Sequence, residues 1–172
     1  MELRDLYDID RIPLGKTSRR GKKPGRDEYF AVVHLCIFNS QGQMLIQQRQ
    51  SFKKGWAGCW DLSVGGGVLA GETSRMAVAR ELREELGLDL DFSGCRPRLT
   101  VNFDHGFDDF YIIERDIDLG QLQLQYEEVQ AVKWADRDEI MALIGRGAFI
   151  PFLSGMIDLL FQIRNKPDCL DL

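Results

Sequence analysis

Glu81, Glu84 and Glu85 place three carboxylates at spacings of three and four residues. On a helix that spacing gathers them on one side, where like charges repel by roughly 0.2–0.5 kcal/mol per pair. Together they form the oxygen-donor set that a hard divalent cation such as Mg²⁺ takes from carboxylates and phosphates. Such an ion neutralises developing phosphate charge and lowers the pKa of a bound water. Arg80 directly precedes the cluster, and its guanidinium fork can hold a carboxylate in place. Gly65, Gly66 and Gly67 lie upstream, where missing side chains let backbone approach an ion or a substrate. The trio alone also fits a solvated salt-bridge face, so both readings stand at this point.

The element that must position these groups is a helix over Ser74 to Leu86. The segment is rich in strong helix formers, and Gly87 is placed to end it. Val78, Ala79, Leu82 and Leu86 form an apolar stripe at helical spacing, with the glutamates expected on the opposite surface. Residues 29–38 and 44–49 read as two strands joined by a hairpin at Asn39 to Gly42. Trp60 to Val64 reads as a short strand that the glycine triplet breaks. Further strands are expected at 98–103, 110–116 and 129–134, with closing helices at 138–144 and 152–164. Residues 3–14 suggest an extension or edge hairpin. Lys16 to Arg26 carries six basic residues and no acidic one, and reads as a loop, either solvated or a phosphate-attracting rim. Strands on both sides of a central helix predict an α/β fold, a mixed sandwich.

At 172 residues the chain suits one domain. Expected boundaries are 1–28 for an N-terminal extension with the basic loop, 29–165 for the domain, and 166–172 for a tail. A net charge of -5 weighs against a nucleic-acid partner. No apolar stretch approaches the roughly 20 residues of a membrane span, and the charged N-terminus does not resemble a secretory signal. The four cysteines include no C-x-x-C pair, so reduced thiols and a cytoplasmic location are expected.

From Gly66 the chain reads Gly, five residues, Glu72, seven residues, then Arg80-Glu81-Leu82-Arg83-Glu84-Glu85-Leu86-Gly87-Leu88. This resembles the Nudix box, G-x5-E-x7-R-E-U-x-E-E-x-G-U with U aliphatic, at every specified position. The resemblance implies the Nudix fold, an α/β/α sandwich with a mixed sheet and a loop–helix–loop catalytic motif. It also implies Mg²⁺ or Mn²⁺ as cofactor and a small-molecule diphosphate substrate, often a nucleotide. Glu81, Glu84 and Glu85 would then be metal ligands, joined by the Gly66 carbonyl. Arg80 would orient the carboxylates and Glu72 would help position the site. The general base in such enzymes is a box glutamate or a later acid, for which Glu127 and Glu128 are the candidates. A homodimer is common in the family, and the extension is a means of forming one.

Leu45 to Arg49, Gly55-Trp56 and Trp60 to Gly66 are similar to the branch containing isopentenyl-diphosphate isomerase. That isomerase uses a cysteine and a metal-binding histidine, which here align with Gly65 and Gly67. Proton transfer to carbon needs a positioned acid and base, so hydrolysis is the expected activity. An isomerase-like enzyme and a non-catalytic ligand-binding domain are the alternatives, although the latter usually lacks box glutamates. Arg49, Lys53 and Lys54 are candidates for substrate contact. His34, in an apolar strand, reads as a core or pocket residue or as a substrate contact. His105, among Asp104, Asp108 and Asp109, reads as a strand-connecting turn, with a second metal site as the alternative although no ligand spacing fits one.

Overall fold

A computed structural model describes residues 2–166. The expected tail therefore lies outside the described residues except for Lys166. The chain begins with a separate two-stranded antiparallel sheet, β1 (Leu3–Tyr7) and β2 (Pro13–Arg19). The larger sheet has seven strands: β3 (Phe30–Phe38), β4 (Met44–Arg49), β5 (Trp60–Asp61), β6 (Val64–Gly67), β7 (Leu99–Phe103), β8 (Gly106–Glu114) and β9 (Val129–Ala135). It is mixed because β3 runs parallel to β8 while its other pairings are antiparallel. Helix α1 (Ser74–Leu86) covers one face, and α2 (Arg137–Gly145) with α3 (Ser154–Ile163) covers the other.

Strand alternation sends side chains to opposite faces. Ala31, Val33, Leu35 and Ile37 of β3 pack with Ala77, Val78, Leu82 and Leu86 of α1. Cys36 and Phe38 pack with Ile140, Leu143, Ile157 and Leu160 of the closing helices. Each fully buried leucine of α1 contributes about 2 kcal/mol, which anchors the helix while its charged residues meet the sheet. Thr73 caps α1 by accepting from the Met76 amide at 3.3 Å, and Gly87 ends it at φ 70°.

Several expectations change in the folded chain. The glycine triplet does not break a strand: Gly65, Gly66 and Gly67 lie within β6 and pair with His34, Val33 and Val32. The run from Trp60 divides instead at Leu62-Ser63, where Ser63 buries its hydroxyl between the Ile37 amide and the Leu45 carbonyl. The first half of the basic segment is strand β2, with its side chains mostly exposed. Strands β3 and β4 meet only at Phe38 and Met44, because β4 takes its longer ladder from β9.

The N-terminal hairpin is fastened at several points. Tyr7 and Tyr29 exchange backbone hydrogen bonds at 2.8 and 2.9 Å, and the Leu3 carbonyl accepts from the Ala70 amide at 2.8 Å. Asp5 accepts from the Gly71 amide at 2.7 Å. Arg11, at φ 62°, forks onto the fully buried carboxylate of Asp109, one arm at 2.9 Å. Burial raises the proton affinity of Asp109, but Arg11 and Thr100 outweigh it and hold the carboxyl below its ordinary range. Its contribution is therefore complete at neutral pH and fades only as acid protonates it. Replacing Arg11 with Met strands that charge and is expected to cost about 3 kcal/mol in urea unfolding at pH 7.

Candidate active site

Helix α1 does not turn all its glutamates to solvent. Glu81 and Glu85 are buried against the sheet, whereas the Glu84 side chain is half exposed. The expectation that the trio lies opposite the apolar stripe therefore holds only for Glu84. The reason is local: Gly66 has no side chain, and a Cβ there would stand 2.0 Å from Glu81 Oε1. Only glycine lets this carboxylate reach the β6 backbone.

Arg80 organises the surrounding acids. Its Nε and Nη2 donate to Glu72 at 2.7 and 3.0 Å, and Nη2 also donates to the Gly67 carbonyl at 2.9 Å. Nη1 reaches Glu81 at 2.9 Å and Glu84 at 3.0 Å. Burial opposes the charge on Arg80, yet Glu72 and Glu81 more than compensate and raise its proton affinity. Glu72 also accepts from the Leu69 amide at 3.0 Å, which fixes the loop entering α1.

Glu85 accepts from the Gln47 side-chain amide at 2.9 Å. Burial, with Glu81 beside it, pushes its carboxyl up to about 8. Glu81 is likewise raised by burial, although Arg80 partly counteracts this. Two acids that mutually resist ionisation form an all-oxygen donor pair suited to a hard cation. Among the described residues no three His, Cys, Asp or Glu side chains are gathered into an ion cage; Arg80 holds Glu81 and Glu84 in the present arrangement. The chemistry of the donors fits a divalent ion, with Glu81, Glu84, Glu85 and the Gly66 carbonyl within one short stretch of loop and helix.

Glu128 lies on the segment preceding β9, which is tied to the end of α1: the Gln125 amide donates to the Glu85 carbonyl at 3.0 Å. Its side chain pairs with Lys53, one of the expected substrate contacts. Arg49 donates to the Gly55 carbonyl at 3.2 Å and sits 3.8 Å from Asp61. Lys54 is exposed on the same 51–58 loop. His34 contacts Asp108 through Nε2 at 3.3 Å and stacks on Phe110 with centroids 5.0 Å apart. Burial opposes its charge, but Asp108 prevails and raises its proton affinity. Phe107, Phe110 and Tyr111 are core residues, and the stretch from Asp104 to His105 is the expected turn between β7 and β8.

A cavity of about 220 Å³ opens beside β6, lined by Arg4, Arg20, His34, Arg49, Asp61 and the three glycines among others. Sequence reading missed Gln47, Asp61 and Arg4. Gln47 and Asp61 are buried polar residues paired across β4 and β5, a signal that alternation alone hints at. Nothing in the sequence marks Arg4.

A loop–helix–loop with buried helix glutamates, an arginine clamp and a glycine strand beneath it, on a mixed sheet between helices, defines a Nudix domain. Residues 28–153 match the NUDIX domain, and the chain belongs to the Nudix hydrolase family. An uncharacterized Nudix hydrolase of Listeria monocytogenes is 44% identical over 165 residues, 96% of either chain. An isopentenyl-diphosphate Delta-isomerase of Klebsiella pneumoniae is 31% identical over 137 residues, covering 70% of this chain and 72% of its own. A crystal structure from Deinococcus radiodurans superposes with a TM-score of 0.76 at 26% identity, covering 91% of this chain and 98% of that one. No helix among the described residues is long and apolar enough to cross a membrane.

The raised Glu85 carboxyl has a measurable consequence. Folding holds its proton up to about 8, against 4.5 for the ordinary group. Its neutral form thus stabilises the fold at low pH, and that contribution is lost as pH rises through about 8. In chelator, the wild-type melting temperature should fall between pH 6 and pH 8.5, and Glu85→Gln should show a smaller fall. An equal slope in both proteins would contradict the burial of this charge.

Proposed function

We propose that this chain hydrolyses the diphosphate linkage of a nucleotide or related small diphosphate, with Mg²⁺ or Mn²⁺ at the box helix. The observation that carries the reading is the buried pair of Glu81, set against Gly66, and Glu85, which has no cationic side chain on it among the described residues. In this reading Glu81, Glu84, Glu85 and the Gly66 carbonyl are the metal ligands. When bound, the ion offsets phosphate charge and acidifies a water.

The chain's own groups do the rest. Arg80 and Glu72 hold the loop and the helix in register. Glu128 is the general base, kept near the end of α1 by the Gln125 hydrogen bond and able to accept a proton from the attacking water. Arg49, Lys53 and Lys54 supply positive charge for phosphates, and His34 contacts substrate from the β3 side. The isomerase reading finds no support in the geometry. Gly65 and Gly67 provide neither thiol nor imidazole, and a Cβ at Gly65 would lie 2.7 Å from His34 Nδ1. A non-catalytic role is equally unsupported, since every box acid is present. The reading includes a cytoplasmic setting, where the free thiols of Cys36, Cys59 and Cys95 persist. It also includes a homodimer, with exposed Ile9, Ile12 and Leu14 as the contact surface.

Phosphate release from a panel of diphosphates with Mg²⁺ or Mn²⁺ tests the activity. Glu85→Gln should lower kcat/KM by about 10³-fold or more, near 4 kcal/mol of transition-state stabilisation. Equal activity of the two proteins would overturn the assignment.

A further inference from the structure

The cavity beside β6 adjoins the proposed metal site, since Gly66 lines it, but extends away from the box helix. Gly66 faces Glu81 on the α1 side of the strand, whereas Gly65 faces His34 on the other side. Nothing lies within 4 Å of a Cβ built at Gly67, so the strand is open there. The cavity thus borders the same backbone whose Gly67 carbonyl Arg80 holds, but its walls come from elsewhere. Arg4 is contributed by β1, Arg20 by the turn after β2, and Arg49 by β4. Arg4 and Arg20 precede residue 28, where the NUDIX match begins.

These arginines are held in place. Arg4 donates to the Lys22 carbonyl at 2.7 Å and to Ser18 Oγ at 3.3 Å, and its guanidinium lies 3.4 Å over the Phe30 ring. Arg20, more than half exposed, pairs with Glu2 at 2.8 Å and is near enough to Glu81 and Glu128 for their charges to act on it. A guanidinium has five donors, so Arg4 and Arg20 keep unused donors for a ligand. Phe30, Val32 and Val68 complete the wall. Asp61 is the one acid in the wall; burial raises its proton affinity, and Arg49 stands 3.8 Å from it.

The geometry points to a phosphoryl-binding subsite in this cavity, in which Arg4, Arg20 and Arg49 take an uncapped terminal phosphate of the substrate. The size agrees: about 220 Å³ is below the ~300–1,000 Å³ of pockets that enclose a whole drug-sized ligand. A phosphate group fits such a volume. The inference rests on the diphosphate-hydrolase reading and deepens it: arginines converging on one cavity favour substrates with an uncapped terminal phosphate over diphosphates capped at both ends. It also makes the N-terminal hairpin a specificity element.

Two measurements test it. In the first, inorganic pyrophosphate is titrated calorimetrically into metal-free wild type, Arg4→Gln, Arg20→Gln and Arg20→Lys. Wild type should bind, each Gln variant should bind about tenfold more weakly or worse, and Arg20→Lys should retain most of the affinity. Melting temperatures of the variants, compared with wild type, separate loss of the site from loss of the fold. In the second, KM is measured for a nucleoside triphosphate and for a dinucleoside diphosphate. The Gln variants should raise KM about tenfold for the uncapped substrate, with the loss falling on KM more than on kcat and sparing the capped one. Equal pyrophosphate affinity across folded variants, or matching KM increases for both substrates, would falsify the subsite. A wild type that turns over no diphosphate but binds pyrophosphate through these arginines would overturn the hydrolase reading and leave the subsite standing.

Discussion

The close approach of the Glu81 carboxylate to Gly66 governs the rest of this architecture. A charged side chain is expensive to remove from water unless it finds partners, and a side chain at residue 66 would collide with it. The chain meets both demands at once. Glycine clears the space, Arg80 supplies the counter-charge, and Glu72 with the Gly67 carbonyl fixes Arg80. The apolar contacts of Val78, Leu82 and Leu86 with β3 hold the helix down against the cost of the buried acids. Among the described residues Glu85 has the neutral Gln47 amide as its side-chain partner, and burial accordingly raises its carboxyl to about 8.

The glycine strand meets different neighbours on its two faces. Toward α1 it admits the acids, and toward the opposite face it accommodates His34 and opens a cavity. In the isomerase-like arrangement the same positions would carry reactive side chains; here they provide room. The N-terminal hairpin then overhangs that room. Its attachment through Leu3, Asp5 and Arg11 to the box loop and β8 explains why a short, largely exposed pair of strands keeps a defined position. Residues before the family match and within it thus contribute to one surface.

Much of this was legible in the sequence for identifiable reasons. Helix α1 was fixed by strong local signals: helix formers throughout, a threonine at the start, a glycine at the end, and an apolar stripe. The box spacing named the acids and their arginine without any structure. Strand existence was readable from apolar runs, but pairing was not. A glycine triplet looks like a break to propensity, yet the ladder with β3 makes it a strand because long-range hydrogen bonds override local preference. Basic residues in β2 looked like a loop for the same reason.

The sequence by itself marked the acids and the arginine of the proposed site, since their order and spacing are properties of the chain. Burial belongs to the tertiary structure. Only the packing of α1 on the sheet decided that Glu81 and Glu85 point inward while Glu84 stays at the surface. Only the docking of the hairpin brought Arg4 and Arg20 to the cavity near Gly66. A residue's proton affinity and its neighbours depend on what folds against it from far along the chain, and no local pattern encodes that distance.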